Sequence, residues 1–222
     1  DKIVLAIPEI KTGDELESLA VTLTQMSANI KKYMSDLIKS AVKMNNLEHD
    51  LDETNKKAEQ LAEVATKDSL TGIRNKTAYD EEVELVIKEL KNGNKKFGVV
   101  MIDLNYLKKI NDTCGHEKGN AAIIRLCKLV CVIFAHSPVF RIGGDEFVVI
   151  LRNYDYDNVE EHVAEFNSDI ERLSDNVSLP IWEKTSAALG YALFDEKVDS
   201  CYDDVFRRAD MAMYERKKEM KA

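Results

Sequence analysis

The stretch FRIGGDEFVVIL, residues 140–151, places two glycines and two carboxylates between two apolar runs. The apolar runs are typical of two strands, and Gly143 and Gly144 are expected to supply the positive φ of a tight turn between them. The pattern therefore predicts a β-hairpin with Asp145 and Glu146 at its tip. Because Gly-Gly-Asp is also ordinary turn chemistry, a merely solvated acidic tip is the alternative at this point.

Composition describes a globular chain that is more acidic than basic. Its 222 residues are 45% hydrophobic and 32% charged, which suffices for one compact domain plus an extension. The formal net charge of −9 disfavours nucleic acid as a partner, although a local lysine cluster can still hold a phosphate-bearing ligand. The balance of charge favours metal or nucleotide chemistry.

Cysteine usage and hydropathy indicate a reducing, cytoplasmic setting. The chain has four cysteines but no CxxC, and Cys127 and Cys131, four apart on a predicted helix, are typical of buried small hydrophobes. It has neither an 18-residue apolar run nor a signal peptide. Because it starts at Asp1 without a methionine, we expect a fragment of a longer protein.

An apolar series with alternating steps of three and four residues runs through the N-terminal third, and only Ser40 and Thr54 interrupt it. Its positions are Leu16, Leu19, Leu23, Met26, Ile30, Tyr33, Leu37, Ser40, Met44, Leu47, Leu51, Thr54, Ala58, Leu61 and Ala65. A repeat of this length is typical of a coiled coil, because 3.5-residue spacing keeps one seam facing a partner. A second copy of the chain is the simplest partner. A long helix packed on its own domain is the alternative.

After this repeat the pattern changes to alternating strands and helices. Apolar runs and amphipathic spacing predict strands at 97–103 and 185–193 and helices at 119–135, 158–173 and 203–221. With the hairpin, these elements predict an α/β fold with a central mixed sheet.

Asp103 ends a buried strand, and in sheets of this class ligands gather at strand ends. This carboxylate and the hairpin acids could converge on one divalent cation. A few hard oxygen ligands, with room left for phosphate oxygens, describe a Mg²⁺ site that serves a nucleotide. For Asp103 alone, a cap at the end of the strand is the alternative.

Four motifs follow one another in the second part of the chain. They are DSLTGIRNK at 68–76, DLNYLKKINDTCGHEKGN at 103–120, RIGGDEF at 141–147 and RADMAMYERKKEMK at 208–221. In this order and spacing the chain resembles the GGDEF diguanylate cyclases, a family named after the hairpin sequence. The resemblance implies a palm-like domain of the nucleotidyl cyclase type, preceded here by the long coiled-coil helix.

A second resemblance concerns the segment before the coiled coil. Pro8-Glu9 and TGDELESLAVTLTQM at 12–26 resemble the second helix of a HAMP signalling module and its connector. It implies the cytoplasmic part of a membrane-anchored receptor, with its membrane contact upstream. We therefore expect a HAMP-like remnant at 1–30, a coiled-coil signalling helix at 31–66 and a cyclase domain at 67–222.

The GGDEF resemblance implies that two GTP condense to cyclic di-GMP and pyrophosphate across a homodimer, in bacterial signal transduction. It implies two Mg²⁺ ions per active site, with Mn²⁺ as a substitute. The implied metal ligands are Asp103, the carbonyl of Leu104 and Asp145. Asp145 also stands as a catalytic residue, with Glu146 as a supporting acid.

The resemblance also assigns the GTP contacts. The backbone amides of Tyr106 and Leu107 and the side chain of Lys108 match its phosphate cradle, and Lys217 and Lys221 match two further phosphate contacts. Arginine is usual where this chain has Lys221, and lysine lacks the bidentate fork, so we expect a weaker grip there. Without the resemblance, lysines late in a helix would be interpreted as complementing its dipole.

Asn111 and Asn120 match the two positions that contact the guanine edge, and the second is normally Asp. A carboxylate accepts from both guanine donors, whereas an amide offers one acceptor and one donor, an arrangement that also suits adenine. GTP remains the expected substrate. The alternatives are a cyclase with relaxed purine choice, making cyclic GMP-AMP, and a non-catalytic nucleotide-binding dimerisation module.

Other departures concern regulation and support. Asn105 replaces a common second Asp, and we expect this change to be tolerated. The RxxD of the family's inhibitory site would begin at Phe134, where this chain has Phe-Ala-His-Ser, so no inhibitory site is expected. The later RxxD at 152–155 is interpreted as a solvated loop. Arg141 is expected to act as an ion-pair strut under the hairpin.

Overall fold

The computed structural model describes residues 15–180 and 182–220, apart from the side chain of Gln60. Two compact units, Asp1–Leu61 and Ala62–Ala222, are distinguished by their contacts. Residues 1–14 of the expected HAMP-like segment and the expected phosphate contact Lys221 lie outside the described residues. Within the described residues no helix is both long and apolar enough to cross a membrane.

The helix α1 spans Glu15–Thr66, 52 residues without interruption. It therefore runs straight through the expected boundary at residue 30, so the division into HAMP-like remnant and signalling helix stays a prediction. The apolar positions of the repeat are exposed along it; Leu47, for example, is 58% exposed. An exposed apolar seam of this length is what a coiled-coil partner would cover.

The C-terminal unit holds a four-stranded sheet in the order β2-β3-β1-β4. The strands are β1 Gly98–Leu104, β2 Val139–Arg141, β3 Glu146–Leu151 and β4 Ala187–Leu193. All neighbouring strands pair antiparallel, so the expectation of a mixed sheet needs correction. The chain does return from β1 to a parallel β2, but β3 inserts between the two, and parallel strands are therefore never neighbours.

Six helices of this unit surround the sheet. They are α2 Lys76–Lys91, α3 Leu107–Cys114, α4 His116–Ile133, α5 Asn153–Asp157, α6 Val159–Asp175 and α7 Tyr202–Glu219. The predicted helices correspond to α4, α6 and α7, and the predicted strands to β1 and β4, within a few residues at each end. The α/β class is confirmed.

Both faces of the sheet are buried. Along β1, Val100 and Ile102 belong to a cluster with residues of α4 and α6, while Val99 and Met101 belong to a second cluster with residues of α2 and α7. Alternate strand residues point to opposite faces, so one strand supports two layers of helices. The strand end at Asp103 is thereby held rigidly between them.

Gly190 on β4 marks the closest approach between the sheet and α7. A Cβ at this position would overlap the backbone of Met213 and lie 2.5 Å from the carbonyl oxygen of Ala209. Backbone atoms cannot rotate away as a flexible side chain can. The absence of a side chain at Gly190 therefore allows α7 to lie close to the sheet. The next turn of α7 carries Lys217.

We expect Gly190→Ala to lower the free energy of unfolding by about 1–3 kcal/mol, the usual effect of overpacking. Urea denaturation followed by circular dichroism measures it. Gly144→Ala is the matched control, because nothing lies within 4 Å of a Cβ there. Equal stability of the two variants would contradict the proposed close packing.

Candidate functional site

The hairpin tip connects β2 to β3 through residues 142–145, and the Ile142 N–H donates to the Glu146 carbonyl at 3.1 Å. The expectation of positive φ at Gly143 and Gly144 is wrong, because the described glycines with positive φ are Gly72, Gly93 and Gly115. The Glu146 side chain folds back over Gly143 instead, and a Cβ at Gly143 would require this flexible carboxylate to move aside.

Arg141 is the strut under this tip, as expected. Its Nη1 donates to both carboxylate oxygens of Asp68 at 2.9 and 3.0 Å, and its Nη2 donates to the Gly144 carbonyl at 2.8 Å. The Thr71 hydroxyl and amide also donate to Asp68, at 2.6 and 2.9 Å. Asp68 opens the first family motif, but the sequence reasoning gave it no role. It anchors the arginine that supports the hairpin.

Burial raises the pKa of the Asp68 carboxyl, but hydrogen bonds from Thr71 and Arg141 outweigh this effect and hold the pKa below its usual value. A depressed folded-state pKa gives stability that is complete above the unfolded pKa, about 3.9, and is lost as pH falls through the folded value. Acid should therefore weaken the strut.

Asp68→Asn should lower the free energy of unfolding by about 2 kcal/mol at neutral pH, since a charged hydrogen-bond acceptor is lost. The difference from wild type should narrow below about pH 4, where the wild-type carboxylate becomes protonated. Urea titrations at both pH values measure this. The control Asp80→Asn removes an exposed pair with Lys76 and should change stability by less than about 0.5 kcal/mol. A difference independent of pH would contradict the argument.

Three acids meet beside the hairpin. Asp103 on β1 is the register partner of Glu146 on β3, and the Leu104 N–H donates to the Asp145 carbonyl at 3.0 Å. Burial, followed by the charges of Asp145 and Asp103, raises the pKa of Glu146. Repulsion of this kind shows that negative charge accumulates here and that a cation would relieve it.

Lys217 of α7 is the cation in contact with this group. Its ammonium lies 2.6 Å from Asp103 Oδ1, although 114 positions separate the two residues. Asp103 is only 6% exposed, so its carboxylate has little contact with solvent. Lysine is positioned to neutralise this carboxylate or to meet a phosphate that approaches it.

The donor set suits a hard divalent cation. The carboxylates of Asp103 and Asp145 and the backbone of Leu104 belong to adjoining strand ends, and oxygen donors of this kind fit Mg²⁺ with coordination positions left for phosphate oxygens. Among the residues described, no three His, Cys, Asp or Glu side chains form a metal-binding group by themselves. The set therefore depends on two carboxylates and a carbonyl, with the remainder supplied by substrate.

A cleft of about 590 Å³ opens next to these acids. It brings together most of the expected metal and phosphate contacts, namely Leu104, Tyr106, Leu107, Lys108, Asp145 and Lys217. Sequence reasoning missed three of its residues, Lys109, Asp112 and Thr113, which follow from helical spacing on α3 once Lys108 is placed. Asp103, Glu146, Asn111 and Asn120 do not line this cleft.

The backbone before α3 is shaped for a close approach. Tyr106 adopts a left-handed conformation with φ 62° immediately before the helix begins at Leu107. The first amides of a helix have no partner within it and attract anions. Tyr106 and Leu107 both line the cleft, beside Lys108, so the helix N-terminus lies next to it.

The two asparagines expected at the base lie on the consecutive helices α3 and α4. The Asn111 amide packs on Gly119 so closely that a Cβ there would overlap its oxygen. Asn120 is the next residue along α4 and is exposed. Because Gly119 brings α3 and α4 together, both amides stand on neighbouring helix turns.

The interpretation of 152–155 as a solvated loop is wrong. Asp155 on α5 is fully buried and accepts hydrogen bonds from the backbone N–H of His136 at 3.0 Å and from its ring at 3.2 Å. Arg152 pairs with Glu82 at 3.0 Å and also with Glu89. This second RxxD is therefore a structural brace between α5, α2 and the loop before β2.

Comparison with known proteins identifies the family. The family described as diguanylate cyclase, GGDEF domain, matches residues 65–222. The chain belongs to the GGDEF family. The match spans the four-stranded sheet and the hairpin with the GGDEF motif, and all but the end of the long helix α1 precedes it.

Curated relatives carry this domain within longer proteins. A probable diguanylate cyclase, DgcE of Escherichia coli strain K12, is 29% identical over 74% of this chain and 15% of its own length. A cyclic di-GMP phosphodiesterase, PdeR of the same strain, is 32% identical over 74% of this chain and 24% of its own length. The chain spans a quarter or less of these relatives.

A solved structure also contains a coiled coil and a GGDEF domain. The coiled coil and GGDEF domain of DgcB from Caulobacter crescentus, in complex with c-di-GMP, matches with a TM-score of 0.69 and 22% identity. The match covers 80% of this chain and 94% of that one. At this identity the likeness concerns the fold.

Proposed function

We propose that this chain is a diguanylate cyclase, which condenses two GTP to cyclic di-GMP and two pyrophosphates. One observation carries the proposal. Asp145, Lys108 and Lys217 line a single cleft, and Lys217 joins it to the buried carboxylate of Asp103. Acids able to hold a divalent cation thus adjoin lysines able to hold phosphates, as phosphoryl transfer from a nucleotide requires.

In each half-reaction the 3′-hydroxyl of one GTP attacks the α-phosphorus of the other. A new O–P bond forms, the bond to the β-phosphate oxygen breaks, and pyrophosphate leaves. The hydroxyl proton passes to a carboxylate of the hairpin tip, Asp145 with support from Glu146. In its supporting role Glu146 is a stronger proton acceptor than an ordinary glutamate, because its pKa is raised. Repetition on the second GTP closes the ring.

The other residues of the cleft orient the nucleotide and neutralise the charge of its phosphates. When bound, Mg²⁺ or Mn²⁺ neutralises phosphate charge and polarises the α-phosphoryl group; Asp103, Asp145 and the Leu104 carbonyl would hold it. The amides of Tyr106 and Leu107, with Lys108 and Lys217, contact the β- and γ-phosphates. Charge on the leaving pyrophosphate is thereby balanced. Lys221 would add to this grip.

The reaction needs two domains, because each contributes one GTP to the product. The exposed apolar seam of α1 supports a homodimer through a coiled coil, which would raise the local concentration of one domain near the other. In the full-length protein, the HAMP-like segment would link this dimer to a membrane receptor, with the cyclase in the cytoplasm of a bacterium.

The deciding experiment is incubation with Mg²⁺ and GTP, ATP or an equimolar mixture, followed by chromatography and mass spectrometry. Cyclic di-GMP from GTP alone is the expected product. Cyclic GMP-AMP from the mixture would shift the assignment to relaxed purine choice. If a verified dimer makes no product, the result favours a non-catalytic nucleotide-binding module. The match to a protein named as a phosphodiesterase is the reason to test this alternative.

Relaxed purine choice is the second candidate, and Asn120 is the observation that favours it. Asn120→Asp should raise the ratio of kcat/KM for GTP over ATP about tenfold, because a carboxylate accepts one more guanine hydrogen bond. Initial rates with each nucleotide measure this ratio. The same substitution at the exposed Asn55 of α1 is the control. An unchanged ratio would remove Asn120 from base selection.

A further inference from the structure

A second cavity, of about 470 Å³, lies between α3, α6 and the last turn of α7. Ile110 and Met220 contribute apolar wall, and Lys109, Lys184 and Arg216 contribute cationic groups. Its volume is in the range of small-molecule sites, which combine apolar walls with a few convergent polar groups. Neither the expected metal ligands nor the expected base contacts line it.

An unsatisfied polar atom belongs to the wall of this cavity. Asn105 is 1% exposed, and its Oδ1 has no hydrogen-bond partner among the residues described. Its backbone N–H donates to the Ser186 carbonyl at 2.7 Å, and its Nδ2 to the Ser186 hydroxyl at 3.2 Å. The amide is therefore fixed in place while its oxygen lacks a donor. Buried acceptors without donors are uncommon and call for a partner.

On the α7 side, the Asn105 amide is covered by a weak contact to its nitrogen. Asn105 Nδ2 also lies 3.7 Å from the thioether sulfur of Met220, and such a sulfur is a poor acceptor on a flexible side chain. Movement of Met220 would let a ligand reach Asn105 without disturbing the sheet. The ligand would then supply the missing N–H donor.

The charged side chains that line the cavity are three cations, Lys109, Lys184 and Arg216, and two carboxylates, Glu171 and Glu219, so a small positive excess remains. Arg216 is already compensated, lying 3.2 Å from Glu219 and 3.8 Å from Glu171. By contrast, no carboxylate of a described residue pairs with Lys109 or Lys184, both of which line the cavity. Two uncompensated ammonium groups favour a negatively charged group on the ligand.

We propose that this cavity is a binding site for a small heteroaromatic anion. Its ring lies against Ile110 and Met220, a ring N–H donates to Asn105 Oδ1, and its carboxylate or phosphate meets Lys109 and Lys184. Tyr106 and Lys109 line both this cavity and the cleft with Asp145. An occupant would therefore contact two residues of the proposed active cleft, which is how an effector can act there.

The test is an NMR titration of the ¹⁵N-labelled chain with indole-3-acetate, which carries a ring N–H, an apolar ring and a carboxylate. We expect shifts at cavity residues with a Kd on the order of 1 mM, as befits a ligand of this size. The matched probe 1-naphthaleneacetate lacks the N–H and should bind at least about fivefold more weakly. Equal affinity would overturn the role of Asn105, and no shift at about 10 mM would overturn the site.

Two variants locate the binding. Ser174→Phe fills the cavity from α6 and should abolish the shifts. Lys184→Glu reverses a charge with little change in the cavity volume and should weaken binding about tenfold. If Ser174→Phe fails to fold, Lys184→Glu alone tests the location of the site. Undiminished binding to a folded variant would place the probe elsewhere and overturn the proposal.

A rate measurement tests the effector role, and this arm rests on the proposed function. Saturating indole-3-acetate should change the rate of product formation at least about twofold in the wild type but not in Lys184→Glu. Binding without a rate change would support the binding site but contradict its regulatory role. A preparation with no turnover would count against the cyclase proposal, while the binding result would stand.

Discussion

Asp145→Asn is expected to reduce the formation of cyclic di-GMP by about 1000-fold, a loss comparable to removal of one essential charge-stabilising group. The amide keeps the size of the side chain but removes the charge that would hold a divalent cation and accept the hydroxyl proton. Asp145 stands next to Leu104 through a backbone hydrogen bond of 3.0 Å. Initial rates from GTP at saturating Mg²⁺ measure the effect.

The matched control is Asp112→Asn, which removes the same charge from the same cleft. Asp112 has no proposed contact with the reacting atoms, so its rate should change by less than about threefold. Similar losses in both variants would indicate a general electrostatic effect rather than a specific role for Asp145. Urea denaturation should show unchanged stability for both proteins.

The second large effect is expected from the double variant Leu47→Glu and Leu51→Glu. Both leucines belong to the apolar repeat of α1 and are exposed in the single chain. Charges in the seam would repel each other in a coiled coil, so at about 10 nM protein the specific activity should fall about 100-fold, as linkage between the two domains is lost. Activity should recover as protein concentration rises.

Val42→Glu is the control for this experiment, because Val42 is equally exposed on α1 but lies outside the repeat. Sedimentation velocity should show a monomer for the double variant and a dimer for the control. Full activity of a verified monomer at low concentration would refute dependence on the coiled coil.

Long, periodic elements were predictable from the sequence because their own side chains encode the period. The helix α1, the helices α4, α6 and α7, and the strand β1 were placed in this way. The pattern did not reveal α3 and α5, because eight and five residues are too few for a clear apolar period. The 16-residue helix α2 was also not predicted. The order of strands was also hidden, since pairing depends on where the hairpin inserts.

The error at Gly143 shows the limit of turn rules. Two adjacent glycines predict positive φ when only backbone preference is considered. Here the first glycine has negative φ, and a carboxylate three residues later folds back over it. A local sequence cannot reveal this, since the position of Glu146 is fixed by its pairing with Asp103 on another strand.

The site was predicted as a set of residue types but not as a network. Their positions in the motifs predicted Asp103, Asp145 and Lys217 as site residues. The contacts between these residues, however, depend on the packing of α7 against β4. The buried Asp155 illustrates the same limit. Its acceptor capacity is satisfied by His136, which lies 19 positions earlier, and no periodicity connects the two residues.

The brace between His136 and Asp155 bears on how the protein would behave in a cell. It holds the loop that contains Phe134, the position at which the family's inhibitory site would have its arginine. Phe134 is buried. If the proposed cyclase activity and the expected absence of an inhibitory site both hold, product formation would follow the upstream stimulus and would not fall as the product accumulates. The concentration of the messenger would then be set by the strength of the upstream stimulus and by the enzymes that degrade it.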